Sequence, residues 1–356
     1  MRRLLRFEPV ALLVLLLYPL LPVLDWAVEA ATGSSIRVDR QLVNIFIFAI
    51  LALALNLQVG YAGLLQLGIA AFFAVGAFST GILTVEKYPF QLGAWAAVVI
   101  APLLAGAIGA ALAAPTIRLR GDYLAIVTLG FGEVVRVTLL NLENITDGPR
   151  GLNPIPDPWL PTWISGGGLD ATGQVRLLTM YYVSLLLLAA LVVVFRTLER
   201  SRPGRAFVAL REDELVSACM GLNPARTRTL AFASGAAIAG LAGALYAVNL
   251  TTTAEPNTYD FNYSIMVLCC VIIGGLGSVR GVLFGALVLL GFDNVLSPLL
   301  TRLLQQAIGA EASGNVLLAF NNWRWLIFGM VLVLMMRFRP EGIWPSVRVR
   351  EEMHGS

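Results

Sequence analysis

Glu133 and Arg136 stand three residues apart in a run that carries no other charge between Asp122 and Glu143. On a helix that spacing puts both on one face, within reach of each other. Such a pair can neutralise itself, or it can meet the ammonium and carboxylate of a passing amino acid. Because the arginine can hold the carboxylate ionised, Glu133 is a poor proton carrier. A second polar group, Asn56, Gln58 and Gln66, flanks Gly60-Tyr61-Ala62-Gly63. Amides and glycines in apolar surroundings suit a broken helix lining a cavity, and they suit plain close packing of helices equally. Asp293 is a further acid in apolar sequence, read as structural or as lying at an outer helix end.

Other chemistry is missing from the chain. The single histidine is His354, near the C-terminus, and neither HExxH nor GxSxG occurs. Cys219, Cys269 and Cys270 lack CxxC spacing and a histidine partner, so they read as small core residues rather than as metal ligands or a disulfide. A phosphate-binding loop needs G-x-x-x-x-G-K-[ST], in which lysine reaches the terminal phosphates. Lys87 is the only lysine, and tyrosine follows it. The chain is therefore not expected to be an enzyme or to hold ATP or a metal itself.

The elements that must position these side chains are membrane helices. Of 356 residues, 58% are hydrophobic and 13% charged, about half the charge of an ordinary soluble domain. Uncharged runs cover residues 41–85, 88–117, 177–195, 229–254 and 261–279, and a span needs about 20 apolar residues. The pattern predicts an all-α polytopic membrane protein of about ten transmembrane helices: 8–28, 42–58, 61–84, 93–116, 122–142, 178–197, 226–249, 262–276, 281–300 and 323–338. Residues 1–30 also resemble a signal peptide, with Arg2, Arg3 and Arg6 before an apolar stretch; a retained first helix is the preferred reading. Either choice leaves residue 31 outside.

Seventeen of the 25 basic residues fall on segments that this order places inside, so both termini are expected to be cytoplasmic. Trp26, Trp95, Trp323 and Trp325 fall near outer helix ends, as an interfacial aromatic belt requires. The whole chain, 1–356, reads as one transmembrane domain, and its net charge of +3 is spread through loops, with no nucleic-acid patch.

Two connections are long. Residues 143–177 form an outer, periplasmic segment rich in glycine and proline, either a plain connector or a landing surface for an external binding protein. Residues 198–228 form a cytoplasmic loop, within a stretch from Phe195 to Arg228 that holds seven arginines and four acids. Arg202-Pro203-Gly204 predicts a turn, after which a helix runs from about Arg205 to Met220 and stops at Gly221 as a left-handed cap. Asn223 then caps a new helix with Pro224 at its first position. Arg211, Glu212, Asp213 and Glu214 would offer both signs of charge to a partner, with Phe207, Leu210, Leu215 and Met220 as apolar contacts. As bare pattern, a solvated loop and a docking element fit equally.

The run ALREDELVSACMGLNPARTRTLAFASGAAIAGLAGALYA at 209–247 resembles the loop and following helix of LivM-type permeases of the branched-chain amino acid ABC importers. Residues 56–78, 121–152 and 272–286 are similar to the same family in the same order, and so is RPEGIWP at 339–345. Three stretches fit less well: the first helix and the outer segments at 153–176 and 301–321.

The resemblance implies an importer permease of a bacterial inner (plasma) membrane. It implies that the loop is a coupling element docking an ATPase, with Phe207, Leu210, Arg211, Glu212, Asp213, Glu214 and Gly221 in it. It further implies a second permease of the LivH type, two cytoplasmic subunits that bind ATP and magnesium, and a periplasmic amino-acid-binding protein. Asn56, Gln58, Gln66, Glu133 and Arg136 are the candidates for the substrate path. Urea and short-amide importers use similar permeases, and an ion-coupled carrier is the rival from another class.

Overall fold

The computed structural model describes residues 38–89, 91–116, 119, 121–156, 174–301, 320–339 and 341–344. The expected helix at 8–28, both chain ends, and residues 157–173 and 302–319 lie outside the described residues. Every expected helix from the second to the tenth is present. They are α1 (Val38–Leu55), α2 (Ile69–Thr84), α3 (Ala94–Thr116), α4 (Asp122–Asn141), α5 (Gln174–Arg200), α8 (Pro224–Leu250), α9 (Phe261–Gly274), α10 (Val279–Gly291) and α11 (Phe320–Phe338). The loop expected at 198–228 adds α6 (Arg202–Glu212) and α7 (Glu214–Cys219). Six helical stretches are long and apolar enough to span a bilayer: Arg40–Tyr61, Ala94–Pro115, Asp122–Asn141, Arg176–Arg200, Pro224–Leu250 and Val279–Thr301. This is an all-α polytopic membrane protein.

Burial follows composition. From Val43 to Leu55 nearly every residue of α1 is apolar, and nearly every one is buried. A helix apolar all round belongs at the centre of a bundle. The other central helix, α8, is rich in alanine and glycine, and it packs against α1, α2 and α3. Small residues let its backbone approach closely. A β-carbon on Gly76 of α2 would overlap the Gly240 carbonyl of α8, and one on Gly243 would overlap the Phe73 carbonyl of α2. Between α1, α2, α8 and α9 the core is filled by rings. Phe48 lies 5.8 Å from Phe73 and 5.7 Å from Tyr263, and Phe73 lies 5.2 Å from Tyr246.

Two helices are shorter than the hydrocarbon layer. The 16 residues of α2 and 14 of α9 rise about 24 and 21 Å, against about 30 Å of bilayer core. For either to cross, non-helical chain has to complete the passage, and backbone of that kind must be buried in protein or face a wet cavity. The third helix was expected from residue 61, but residues 62–68 are not helical. Gly63 turns there with φ +67°, and Gly68 lies so close to Thr128 that a β-carbon would overlap its carbonyl. Apolar composition continues through this stretch, which is why the run reads as one helix. The Leu67 amide donates to Thr128 Oγ1 at 3.1 Å and the Ala70 amide to Ser264 Oγ at 3.2 Å.

The turn between α9 and α10 uses Gly275 and Gly277 at φ +117° and +74°. Residues 341–344 lie against it: the Ile343 amide donates to the Ile273 carbonyl at 2.9 Å and the Trp344 amide to that of Gly274 at 3.1 Å. On the side assigned as outer, Lys87 pairs with Asp147 at 2.5 Å. That hydrogen bond holds the Lys87 ammonium above its usual pKa.

Candidate functional site

The loop at 198–228 differs from its expected form in three ways. Arg202-Pro203-Gly204 is not a free turn but the first turn of α6: Ser201 caps the helix, accepting from the Gly204 amide at 3.3 Å, and proline is tolerated in that first turn. The helix does not run unbroken to Met220. Asp213 is extended at φ −154°, and its carboxylate accepts from the Leu215 and Val216 amides at 2.8 and 3.1 Å. An aspartate with two amides in reach is a better N-cap than a mid-helix residue, so α6 stops and α7 begins. Ser217 Oγ then ties the two together, reaching the Ala209 and Asp213 carbonyls at 2.7 and 2.6 Å.

The third difference concerns the contact residues. Phe207 and Leu210 are 2% and 7% exposed, so they anchor α6 in this chain's own core and present nothing to a partner. Glu214 is directed inward as well, 2.8 Å from the buried guanidinium of Arg228 on α8. The apolar surface that remains is Leu215, Val216 and Met220, at 73%, 56% and 81% exposure. Gly221 ends the loop helices at φ +86°, and Asn223 caps α8 through the Arg226 amide at 3.2 Å.

One loop side chain reaches into the membrane domain. Arg211 Nη1 donates to the Gly60 carbonyl at 2.7 Å, and its side chain lies against Gly63. Nearby, Tyr61 donates to Glu199 at the end of α5 at 2.5 Å. Sequence reasoning missed both contacts. A tyrosine between two glycines and an acid in an arginine-rich stretch are the only signals for the second.

Gly60 belongs to a π-helical turn, Asn56–Tyr61, that prolongs α1. Turns of this kind leave wide, irregular backbone and are frequent at functional sites. Asn56 Oδ1 accepts from the Gly277 amide at 2.9 Å, which fixes the α9–α10 turn to α1. Gln58 Nε2 donates to the Phe232 carbonyl of α8 at 3.3 Å, over Gly235. Each amide thus uses one end. Among the described residues Asn56 Nδ2, Gln58 Oε1 and both amide atoms of Gln66 are buried without a hydrogen-bond partner. An unmet buried polar atom costs about 1–3 kcal/mol.

Glu133 and Arg136 do pair, with Arg136 Nε 3.0 Å from Glu133 Oε2 and Nη2 on Oε1. Arg136 Nη1 also donates to Asn257 at 2.5 Å. The pair does not face this chain's own interior, since the Glu133 side chain is 51% exposed. The structure therefore separates the candidates. Asn56 and Gln58 share one buried turn with Gln66 just beyond it, while Glu133 and Arg136 lie on an outward face of α4. Contacts from Thr128 to the 67–68 backbone join the two regions.

The bundle thus joins a structured loop between α5 and α8 to buried amides at a helix break. The model of the family described as "Branched-chain amino acid transport system / permease component" matches residues 37–336. The chain belongs to this permease family. The LivM permease protein of the high-affinity branched-chain amino acid transport system of Escherichia coli K12 is 39% identical over 316 residues, 85% of this chain and 68% of that protein. The probable LivM permease protein of Methanocaldococcus jannaschii is 23% identical over 330 residues, 84% of this chain and 91% of that one. Similarity reaches the LivH permease protein of E. coli K12 too, at 29% over 164 residues, 45% and 51% of the two chains. No solved structure matches the permease.

Proposed function

We propose that this permease is the transmembrane subunit of an ATP-binding cassette importer that carries branched-chain amino acids across a bacterial inner membrane. The observation that carries the reading is the match of the family model to residues 37–336. The exposed Leu215, Val216 and Met220 on a cytoplasmic elbow support a docked partner, because apolar side chains clustered in water mark an interaction site. In this reading two cytoplasmic ATPase subunits bind ATP and magnesium and grip α7. A LivH-type permease completes the membrane unit, and a periplasmic binding protein delivers the solute.

The elbow moves the path through Arg211. Its hydrogen bond to the Gly60 carbonyl couples α6 to the turn that holds Asn56 and Gln58. Displacing α6 pulls that turn, which changes the exposure of the unmet amide atoms to solute. Those amides can bind the charged ends of an amino acid, while apolar walls accept its side chain. Competition tests the cargo directly. Unlabelled leucine, isoleucine and valine should suppress labelled leucine uptake by the complete transporter, and urea should not. Suppression by urea with indifference to valine would assign the chain to a short-amide importer.

A further inference from the structure

Of the amide side chains at the break after α1, Asn56 and Gln58 tie helices together. Asn56 Oδ1 accepts from the Gly277 amide, and Gln58 Nε2 donates to the Phe232 carbonyl. Gln66 does neither. It is 1% exposed, and among the described residues neither its Nε2 nor its Oε1 has a hydrogen-bond partner. Buried polar groups are nearly always paired, and departures from that rule gather at functional sites. An amide that leaves both its donor and its acceptor unmet points to something that this chain's own packing does not supply.

A second feature of the same stretch points to a ligand that carries a carboxylate. Gln66 stands just ahead of α2, and Gly68 caps that 16-residue helix without a side-chain hydrogen bond. No acid stands in its first turn. Hydroxyls from two other helices serve the amides there, Thr128 of α4 for Leu67 and Ser264 of α9 for Ala70. Thr128 lies about 9 Å along α4 from Asp122, and α4 is long and apolar enough to span the bilayer. The N-terminus of α2 therefore begins beneath the membrane surface, where little water screens its dipole. Helix N-termini placed in this way favour the anionic group of a solute.

We infer that Gln66 is the residue that holds the charged ends of the amino acid in passage, its Nε2 donating to the carboxylate and its Oε1 accepting from the ammonium. A primary amide suits a zwitterion because it offers N–H groups to the anion and a carbonyl to the cation. The inference rests on the importer reading, which supplies the solute. It goes further in making Gln66 the reader, with Asn56 and Gln58 as the frame around it. At 1% exposure the amide is closed off in this conformation. Residues 62–68 are not helical, and the Arg211 side chain, bonded to the Gly60 carbonyl, lies against Gly63. Displacement of α6 thus reaches the stretch that carries Gln66.

Gln66→Met tests it in the complete transporter, because methionine keeps the length and flexibility of the side chain and removes both polar atoms. Labelled leucine uptake and ATP hydrolysis are measured together in proteoliposomes, and thermal unfolding in detergent. The leucine taken up per ATP hydrolysed should fall about tenfold, the loss of roughly one charge-assisted hydrogen bond. The unfolding midpoint should hold or rise, since no partner in this chain is left unmet. A lesion of the fold would instead lower the midpoint, and uptake and hydrolysis together. A wild-type ratio of leucine to ATP in Gln66→Met would overturn the seat and leave the importer standing. A lowered midpoint would also overturn it, by showing that the amide serves the fold through an ordered water. Failure of the unsubstituted transporter to take up leucine on ATP would overturn the importer reading, and this seat with it.

Discussion

A permease carrying both Leu215→Asp and Met220→Asp is expected to insert normally and to lose its ATPase. These two side chains are 73% and 81% exposed on the loop assigned to the cytoplasm, so nothing in the fold depends on their apolar surface. Burying each against a partner is worth about 1.5–3 kcal/mol. Losing both, and adding two charges that must be desolvated, should weaken association at least about a hundredfold. Copurification of ATPase with tagged permease measures it, and transport should fall in parallel. Substituting Phe207 or Glu214 would not be an equivalent test. Phe207 is core, and removing Glu214 takes away the carboxylate paired with the buried Arg228 guanidinium, so either change damages the loop itself. Glu212 is exposed and free of that complication.

The second large effect concerns the α2–α8 contact. Gly76→Val places a branched side chain where the Gly240 carbonyl already lies. Rigid backbone, unlike a side-chain tip, cannot rotate away, so the helices must separate. Overpacking commonly costs 1–3 kcal/mol, and here we expect at least about 3 kcal/mol. Thermal unfolding in detergent should show a large drop in midpoint, and expression should fall. Gly329→Ala on α11 is the control. No atom lies within 4 Å of its β-carbon, so stability should hold or rise by up to about 1 kcal/mol through helix propensity.

How legible was this in the sequence? Apolar runs located the helices because length and charge alone decide what can span a bilayer. They could not locate the break at residues 62–68, since Leu64, Leu65 and Leu67 continue the same composition. That break is made by backbone: φ at Gly63 and the close approach of Gly68 to Thr128. Caps were readable where their residues are unambiguous, as at Gly221 and Asn223. Asp213 was hidden among three consecutive acids, although its position before Glu214-Leu215 is that of an N-cap.

Side-chain orientation was the weakest part. Spacing predicted that Glu133 and Arg136 would meet, and they do. It could not tell whether their shared face turns toward this chain or away, because that depends on which helices pack beside α4. Phe207 and Leu210 failed likewise. Three residues apart on an amphipathic helix, they define one face, and only the packed structure reveals that this face is turned into the chain's own core.

Uptake by proteoliposomes carrying the purified permeases, with ATPases and binding protein added or withheld, tests the central claim most directly. Labelled leucine should accumulate only when ATP, the ATPases and the binding protein are all present, with no response to a proton or sodium gradient. Accumulation by this chain alone, driven by such a gradient and unchanged by ATP, would contradict the account.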